Sequence, residues 1–223
     1  MEPRLERNIP SITESEQDML RSCHVAVIGA GGLGGYAVEF LARLGIGTIT
    51  VCDGDCFTES NLNRQLLSNS ENLGKNKAEA ASLRIKKIFP ETTVRMFPVY
   101  LTNENAESIL HGADSVIDAL DSVTGRLLLE DLCKRYSNPL VHGAISGWGY
   151  QAALISPGSG LLHHLYSQKS DEPSHSVLPM TAAFCASLQM SLLVQYLLGR
   201  PVKADTLYFG SVSDPSISWV SLI

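Results

Sequence analysis

The sequence predicts one α/β domain: a mostly parallel sheet with helices on both faces and an antiparallel extension at its C-terminal end. Three observations carry this. Apolar, β-rich runs alternate with segments of helical period through residues 23–145, as successive βαβ units do. The stretch 24–65 runs strand, glycine loop, helix, strand, acid, which is how a nucleotide-binding α/β unit begins. From Gly149 the alternation gives way to strands around one long helix, and Asp214-Pro215 separates the last two strands with a hairpin signal.

Residues 1–22 are a lead-in, in which Thr13, followed by Glu14 and Glu16, is placed to cap a helix over 14–21. Val25, Val27 and Ile28 form a short buried strand that enters the loop Gly29-Ala30-Gly31-Gly32-Leu33-Gly34. Leu33, Ala37, Phe40, Leu41 and Leu44 share one helix face, and Gly47 opens a second strand, 48–52, ending on Asp53. A helix over 75–89 stops at Pro90, and 93–99 is β-rich, with Pro98 placing its end at an edge or turn. A short helix over 103–110, a buried strand over 114–119 ending on acids, a helix over 126–136 and a short strand over 140–142 complete the parallel part. Then come a strand over 150–156, a largely polar loop over 157–179, a long apolar helix over 181–199, and strands over 206–212 and 216–222.

Composition excludes several classes. At 223 residues the chain is long enough to bury a sizeable core. A formal charge of −6 argues against a nucleic-acid binder, which would normally show a basic face. The five cysteines include no CxxC pair, which suits a reducing cytoplasm and offers neither a zinc site nor a disulfide framework. MEPRLERNIP has no signal-peptide apolar core. Ser187, Gln189, Ser191 and Gln195 interrupt the most apolar helix, so a buried helix is expected there rather than a membrane span.

The glycine loop fits a dinucleotide as well as ATP; its turn lets backbone N–H groups approach phosphate at a positive helix end, with Asp53 placed for ribose hydroxyls. The residues downstream of it favour the triphosphate. Asp55, the segment Asn61-Leu62-Asn63-Arg64-Gln65, Lys77, and the acids Asp118 and Asp121 all fall at or near strand C-terminal ends, where doubly wound sheets bind ligands. Arg64 and Lys77 with loop amides suit three phosphates, and Asp121 opposite them suits magnesium, which takes one or two carboxylates and completes its shell with water and phosphate. Asp118 and Asp55 stand open between direct and structural roles, as does Arg126 between substrate contact and a surface ion pair. His163-His164 is read on a strand, where adjacent side chains point to opposite faces and make no metal pair. Cys185 reads as a small core residue.

GAGGLGG at 29–35, DGD at 53–55, SNLNRQ at 60–65, GKNK at 74–77 and DALDS at 118–122 together resemble the MoeB/ThiF/HesA family, bacterial relatives of ubiquitin-activating enzymes. The match covers nearly the whole chain, and the NLNRQ box with its following lysine is far more specific than the glycines. The resemblance implies a modified Rossmann fold and a homodimer. It implies an enzyme that joins AMP to the C-terminal glycine carboxylate of a small ubiquitin-like sulfur-carrier protein of the MoaD or ThiS kind, with residues 146–223 serving the carrier and the dimer. It implies that Gly31 and Gly32 approach the phosphates and that Asp53 holds the ribose, with Gly29 and Asp55 also counted among the nucleotide-binding residues. Asn61, Arg64, Gln65 and Lys77 would orient the triphosphate, and Asp121 would hold Mg²⁺. Arg4 and Arg7 in RLERN resemble the family's N-terminal arginine pair, with Arg7 reaching a partner subunit's site.

Departures are as informative. The zinc-holding CxxC pairs of many members are absent, so no zinc is expected, and no cysteine lies between Cys133 and Cys185, where some members form a thioester or persulfide. Ser122 stands where the family often has Asn. Adenylation of a small-molecule carboxylate is the alternative, and an NAD- or FAD-binding oxidoreductase or a non-catalytic binding partner the more distant ones.

Overall fold

The computed structural model describes residues 2–171 and 176–221. A 3-10 turn, Pro3–Asn8, leads to α1 (Glu14–Ser22), which Thr13 caps as expected. Glu16 N–H donates to the Thr13 hydroxyl at 3.2 Å and Thr13 N–H to Glu16 Oε2 at 2.7 Å, a reciprocal capping box. The chain continues through β1 (His24–Ile28), α2 (Gly32–Arg43), β2 (Thr48–Cys52), α3 (Lys77–Ile88), β3 (Thr93–Phe97), α4 (Ala106–Leu110) and β4 (Ser115–Asp118). It goes on through α5 (Val123–Tyr136), β5 (Leu140–Ser146), β6 (Gly149–Ile155), α6 (Leu161–Tyr166), α7 (Pro179–Leu197), β7 (Thr206–Ser211) and β8 (Asp214–Ser221).

All eight strands form one sheet in the order β3-β2-β1-β4-β5-β6-β7-β8, parallel from β3 to β5 and antiparallel from β5 to β8. The predicted mostly parallel α/β fold, with its antiparallel extension, is the observed one. Every residue of β1 is buried, because helices cover both faces. Val25 and Val27 point into a core with Ala37, Leu41, Ile85, Met190 and Leu193, whereas Ala26 and Ile28 meet Ile109, Leu129, Leu132 and Leu162 on the other side. Each such aliphatic side chain contributes roughly 1.5–3 kcal/mol by leaving water.

Helix α7 is long and apolar enough by length and composition to cross a membrane, but it packs against α2, β5 and β6. Its Gln189, fully buried, donates from Nε2 to Asp118 O at 2.9 Å and to Val141 O at 3.1 Å. The helix is therefore part of the core, and its polar residue is a partner to the sheet.

Three details differ from the sequence reading. His163 and His164 lie on α6, not on a strand, so the expected loop over 157–179 contains a helix. Its first turn is held from outside: Leu162 N–H and His163 N–H donate to the Glu130 carboxylate at 2.9 and 3.0 Å. Strand β5 runs to Ser146, longer than expected, because its hairpin partner β6 pairs with it along its full length. Strand β8 already starts at Asp214, with a register shift at Gly210/Ser211; an edge strand tolerates the proline that cannot donate. Residues 172–175 of the expected loop, and Leu222 of the expected last strand, lie outside the described residues.

Candidate active site

Strand order reverses between β1 and β4, so their C-terminal ends open a crevice at the switch point, where such sheets bind ligands. The loop after β1 is the glycine loop. Gly29 has φ +92°, and a Cβ there would lie 2.6 Å from Ala119 O in the loop after β4. The two loops that form the crevice are thus in backbone contact, which only glycine permits. Ala30 N–H donates to Asp53 Oδ2 at 2.6 Å and Asp55 N–H to Asp53 Oδ1 at 2.8 Å, so Asp53 ties the loop to the end of β2. Burial raises the Asp53 pKa, against those two N–H donors and the nearby Lys77.

Helix α2 begins at Gly32 with no side-chain cap at Gly31, leaving its N-terminal amides directed at the crevice. The Asn61–Gln65 segment folds over it. The Gln65 carboxamide lies 3.4 Å from where a Gly31 Cβ would be, and the Arg64 side chain lies 3.9 Å from the corresponding point on Gly32. Gln65 is buried, and its Oε1 has no hydrogen-bond partner among the described residues. Arg64 Nη1 rests on Ser60 O at 3.0 Å and Asn63 Oδ1 at 2.8 Å. Asn61 is the frame of this segment: its Oδ1 accepts Thr58 N–H at 3.0 Å, and its carbonyl accepts the N–H groups of Arg64 and Gln65.

Lys77, buried at the start of α3, pairs through Nζ with Asp55 Oδ2 at 3.0 Å. Tyr100 also donates its hydroxyl to Asp55. Burial works against the ionised Asp55, but these two donors outweigh it and hold its pKa below the usual range. Asn76 clamps the Asp53–Asp55 turn from outside, donating to the carbonyls of both acids at 3.0 and 3.1 Å. Sequence reasoning missed Asn76 and Tyr100. The GKNK box held a signal for Asn76 as an N-cap, whereas Tyr100 reaches Asp55 from a loop distant in sequence.

Asp121 is exposed at the end of the turn after β4, and no hydrogen bond or ion pair engages it among the described residues. The described residues hold no group of three or more His, Cys, Asp or Glu side chains suited to a metal. An exposed carboxylate without a partner among the described residues fits a magnesium ion that would complete its shell with phosphate and water.

Asp118 is not in the crevice but beneath it, fully buried. It accepts His142 Nδ1–H at 2.6 Å and Leu120 N–H at 3.0 Å. Burial lowers the His142 pKa, with Asp118 acting in the opposite sense; Nδ1 donating to the Asp118 carboxylate leaves Nε2 toward Gln151 Nε2 at 3.1 Å. Arg126, expected either at substrate or at the surface, is buried under the ring of Tyr166. His163 pairs with Glu130 at 2.7 Å. Cys185 is a core residue whose thiol burial pushes up to about 12.

The structure does not bring the N-terminal arginines to this crevice. Arg4 pairs with Glu91 at 2.9 Å over the Phe89 ring, which is a structural role. Arg7 lies exposed on the 3-10 turn, without a hydrogen bond or ion pair among the described residues.

The ThiF family matches residues 5–219. The SAMP-activating enzyme E1 of Haloferax volcanii is 34% identical over 171 residues, covering 77% of this chain and 61% of that enzyme. The sulfur carrier protein adenylyltransferase of Thermus thermophilus is 38% identical over 147 residues, covering 66% of this chain and 54% of that one. The chain thus spans little more than half the length of these two relatives. The crystal structure of E. coli tRNA N6-threonylcarbamoyladenosine dehydratase matches at a TM-score of 0.76 and 28% identity, covering 88% of this chain and 94% of that one.

Proposed function

The chain belongs to the ThiF family, and from that premise we propose that it is an ATP-dependent adenylyltransferase. Its substrate in this reading is the C-terminal glycine carboxylate of a small ubiquitin-like sulfur-carrier protein, which it converts to an acyl-adenylate with release of pyrophosphate. The observation that carries the reading is the convergence of Arg64 and Gln65 on the uncapped glycine loop. The names of the Haloferax and Thermus relatives support the carrier as substrate.

The chemistry asks for charge stabilisation rather than a base. An α-carboxyl has a pKa of about 3.5, so the attacking group is already ionised. Its oxygen bonds to the α-phosphorus, the bond from that phosphorus to the bridging oxygen breaks, and the electron pair leaves with pyrophosphate. In this reading the loop amides at Gly31 and Gly32 cradle phosphate, Asp53 receives ribose hydroxyls, Asn61 and Gln65 orient the triphosphate, and Arg64 and Lys77 oppose the growing negative charge. Lys77 then shares its ammonium between Asp55 and phosphate. Magnesium held at Asp121 would neutralise part of the leaving group's charge.

A second reading keeps the machinery and changes the acid to one not borne by a carrier protein. It is supported by the likeness to the E. coli dehydratase structure, 28% identical, of which this chain covers 94%. ATP–pyrophosphate exchange separates the two. Exchange is expected with a small ubiquitin-like protein ending in Gly-Gly, and loss of exchange when the terminal glycine is removed. Exchange that ignores that glycine, or appears only with a small carboxylic acid, overturns the carrier reading. Stabilisation by NAD and not by ATP overturns adenylation itself.

Arg7 extends the proposal to a homodimer in which each site receives Arg7 from its neighbour, since no partner holds it within its own chain among the described residues. Arg7→Ala and Asp121→Ala proteins are each expected to be nearly inactive, and their mixture to regain activity through dimers with one complete site. Such a finger can contribute on the order of 10³–10⁵ in phosphoryl transfer, and adenylyl transfer is expected to gain less. Demonstrated subunit exchange without recovery of activity rules out action in trans.

A further inference from the structure

Resting on the adenylation reading, we infer that His142 is a positioning residue for Asp121, acting through Asp118 and the turn that joins them. Its own side chain is too deep to touch a nucleotide; it is fully buried, as is Asp118. What it does is saturate a carboxylate that shapes the turn. Asp118 Oδ2 accepts from His142 Nδ1 at 2.6 Å, which leaves Oδ1 for Leu120 N–H at 3.0 Å. The Leu120 carbonyl accepts Arg126 Nη2 at 2.8 Å, and the Asp118 carbonyl accepts Gln189 Nε2 at 2.9 Å. On the far side, Ser122 caps α5 by accepting Gly125 N–H at 3.1 Å.

Asp121 therefore sits between Leu120, whose N–H and C=O are both fixed, and Ser122, fixed as a helix cap. Among the described residues, its carboxylate has no hydrogen-bond partner, while its neighbours on both sides are held. His142 also joins two halves of the molecule. Its Nε2 faces Gln151 on β6 and Tyr166 on α6, and the Tyr166 ring lies under the Arg126 guanidinium at 5.4 Å. The side chain that holds Asp118 is thus itself oriented by the antiparallel part of the fold. Metal ligands held by such outer partners typically lose about 10–100-fold in affinity when the partner is removed.

The test uses ATP and Mg²⁺ alone, with the purified full chain and no acyl substrate. The rise in unfolding midpoint is measured with ATP in EDTA and then as Mg²⁺ is titrated at fixed ATP. His142→Leu is expected to keep the metal-free increment and to need about 10–100-fold more Mg²⁺ for half of the metal-dependent one. His142→Asn, which retains an N–H close to the Nδ1 position, is expected to titrate near the wild type. A His142→Leu titration identical to wild type overturns the inference, as does a His142→Asn as impaired as His142→Leu, since packing alone would then explain both. If His142→Leu does not fold, His142→Met, which also fills the site without a donor, takes its place; a shifted Mg²⁺ midpoint supports the inference and an unshifted one overturns it. A wild type that gains nothing from ATP is a different failure: it overturns the adenylation reading on which the inference rests.

Discussion

Asp121→Ala lowers ATP–pyrophosphate exchange by at least about 10²–10³-fold, the scale on which removing one well-placed electrostatic partner acts, while leaving the fold intact. The asymmetry comes from the geometry. Asp121 is exposed and spends its carboxylate on nothing among the described residues, so its removal leaves no buried group unsatisfied and the unfolding midpoint without ligand should stay within a degree or two of wild type, on the scale of about 0.5 kcal/mol. Exchange and thermal unfolding measured on the same preparation check both halves. Normal exchange in a folded Asp121→Ala protein removes Asp121 from the mechanism.

Gly34→Ala has the opposite signature. A Cβ at Gly34 would lie 1.9 Å from Gly29 O and 2.7 Å from Gly29 C, with the Ala119 side chain at 3.2 Å. No flexible side chain can move aside, because the obstacle is the backbone of the loop itself. Relief requires α2 to shift away from β1, opening the main core along Val27 and Ala37. A cost of about 3–5 kcal/mol or more is expected, against a total stability that for most domains is about 5–15 kcal/mol. Gly32→Ala is the control. Its Cβ would meet only Arg64 side-chain atoms at 3.9–4.0 Å, so stability should change by less than about 1 kcal/mol. Equal unfolding midpoints for Gly34→Ala and wild type would falsify the close-packing account.

The contrast between these two glycines marks the limit of what was legible in the sequence. The strand–glycine–helix unit is visible because its signals are local: a continuous apolar run, glycines where backbone approaches backbone, a 3.6-residue stripe. The same holds for Thr13 and its capping box. The boxes around Asp53, Arg64 and Lys77 are legible as residue types, and the fold then places Arg64 and Gln65 over Gly32 and Gly31. Non-local partners left no such trace. Gln189 reads as an interruption of an apolar helix, yet it supplies the donors for two strand carbonyls. His142 reads as the end of a short strand, yet it supplies the donor that a buried carboxylate on the neighbouring strand requires. Helix α6 has too few residues for a periodic signal, and the carboxylate that holds its first turn belongs to Glu130 in another helix. Asp171 is another case: it accepts Thr124 Oγ1–H at 2.6 Å, fastening the segment after α6 to the start of α5.

The seat of α7 decides whether the nucleotide-binding part could ever be separated from the rest. Its Met190 and Leu193 complete the same core as Val25, Val27 and Leu41, and Gln189 reaches Asp118 at the base of the crevice. A fragment ending at residue 145 would contain every residue proposed to hold ATP, but it would expose to water the surfaces of α2 and β5 that pack against α7. It would also leave the carbonyls of Asp118 and Val141 without their buried donor. The proposed division between a half that binds nucleotide and a half that receives the acyl substrate would therefore run through one continuous core. Cutting and recombining such halves between relatives therefore has to carry α7 with the glycine loop, although more than a hundred residues separate them in the chain.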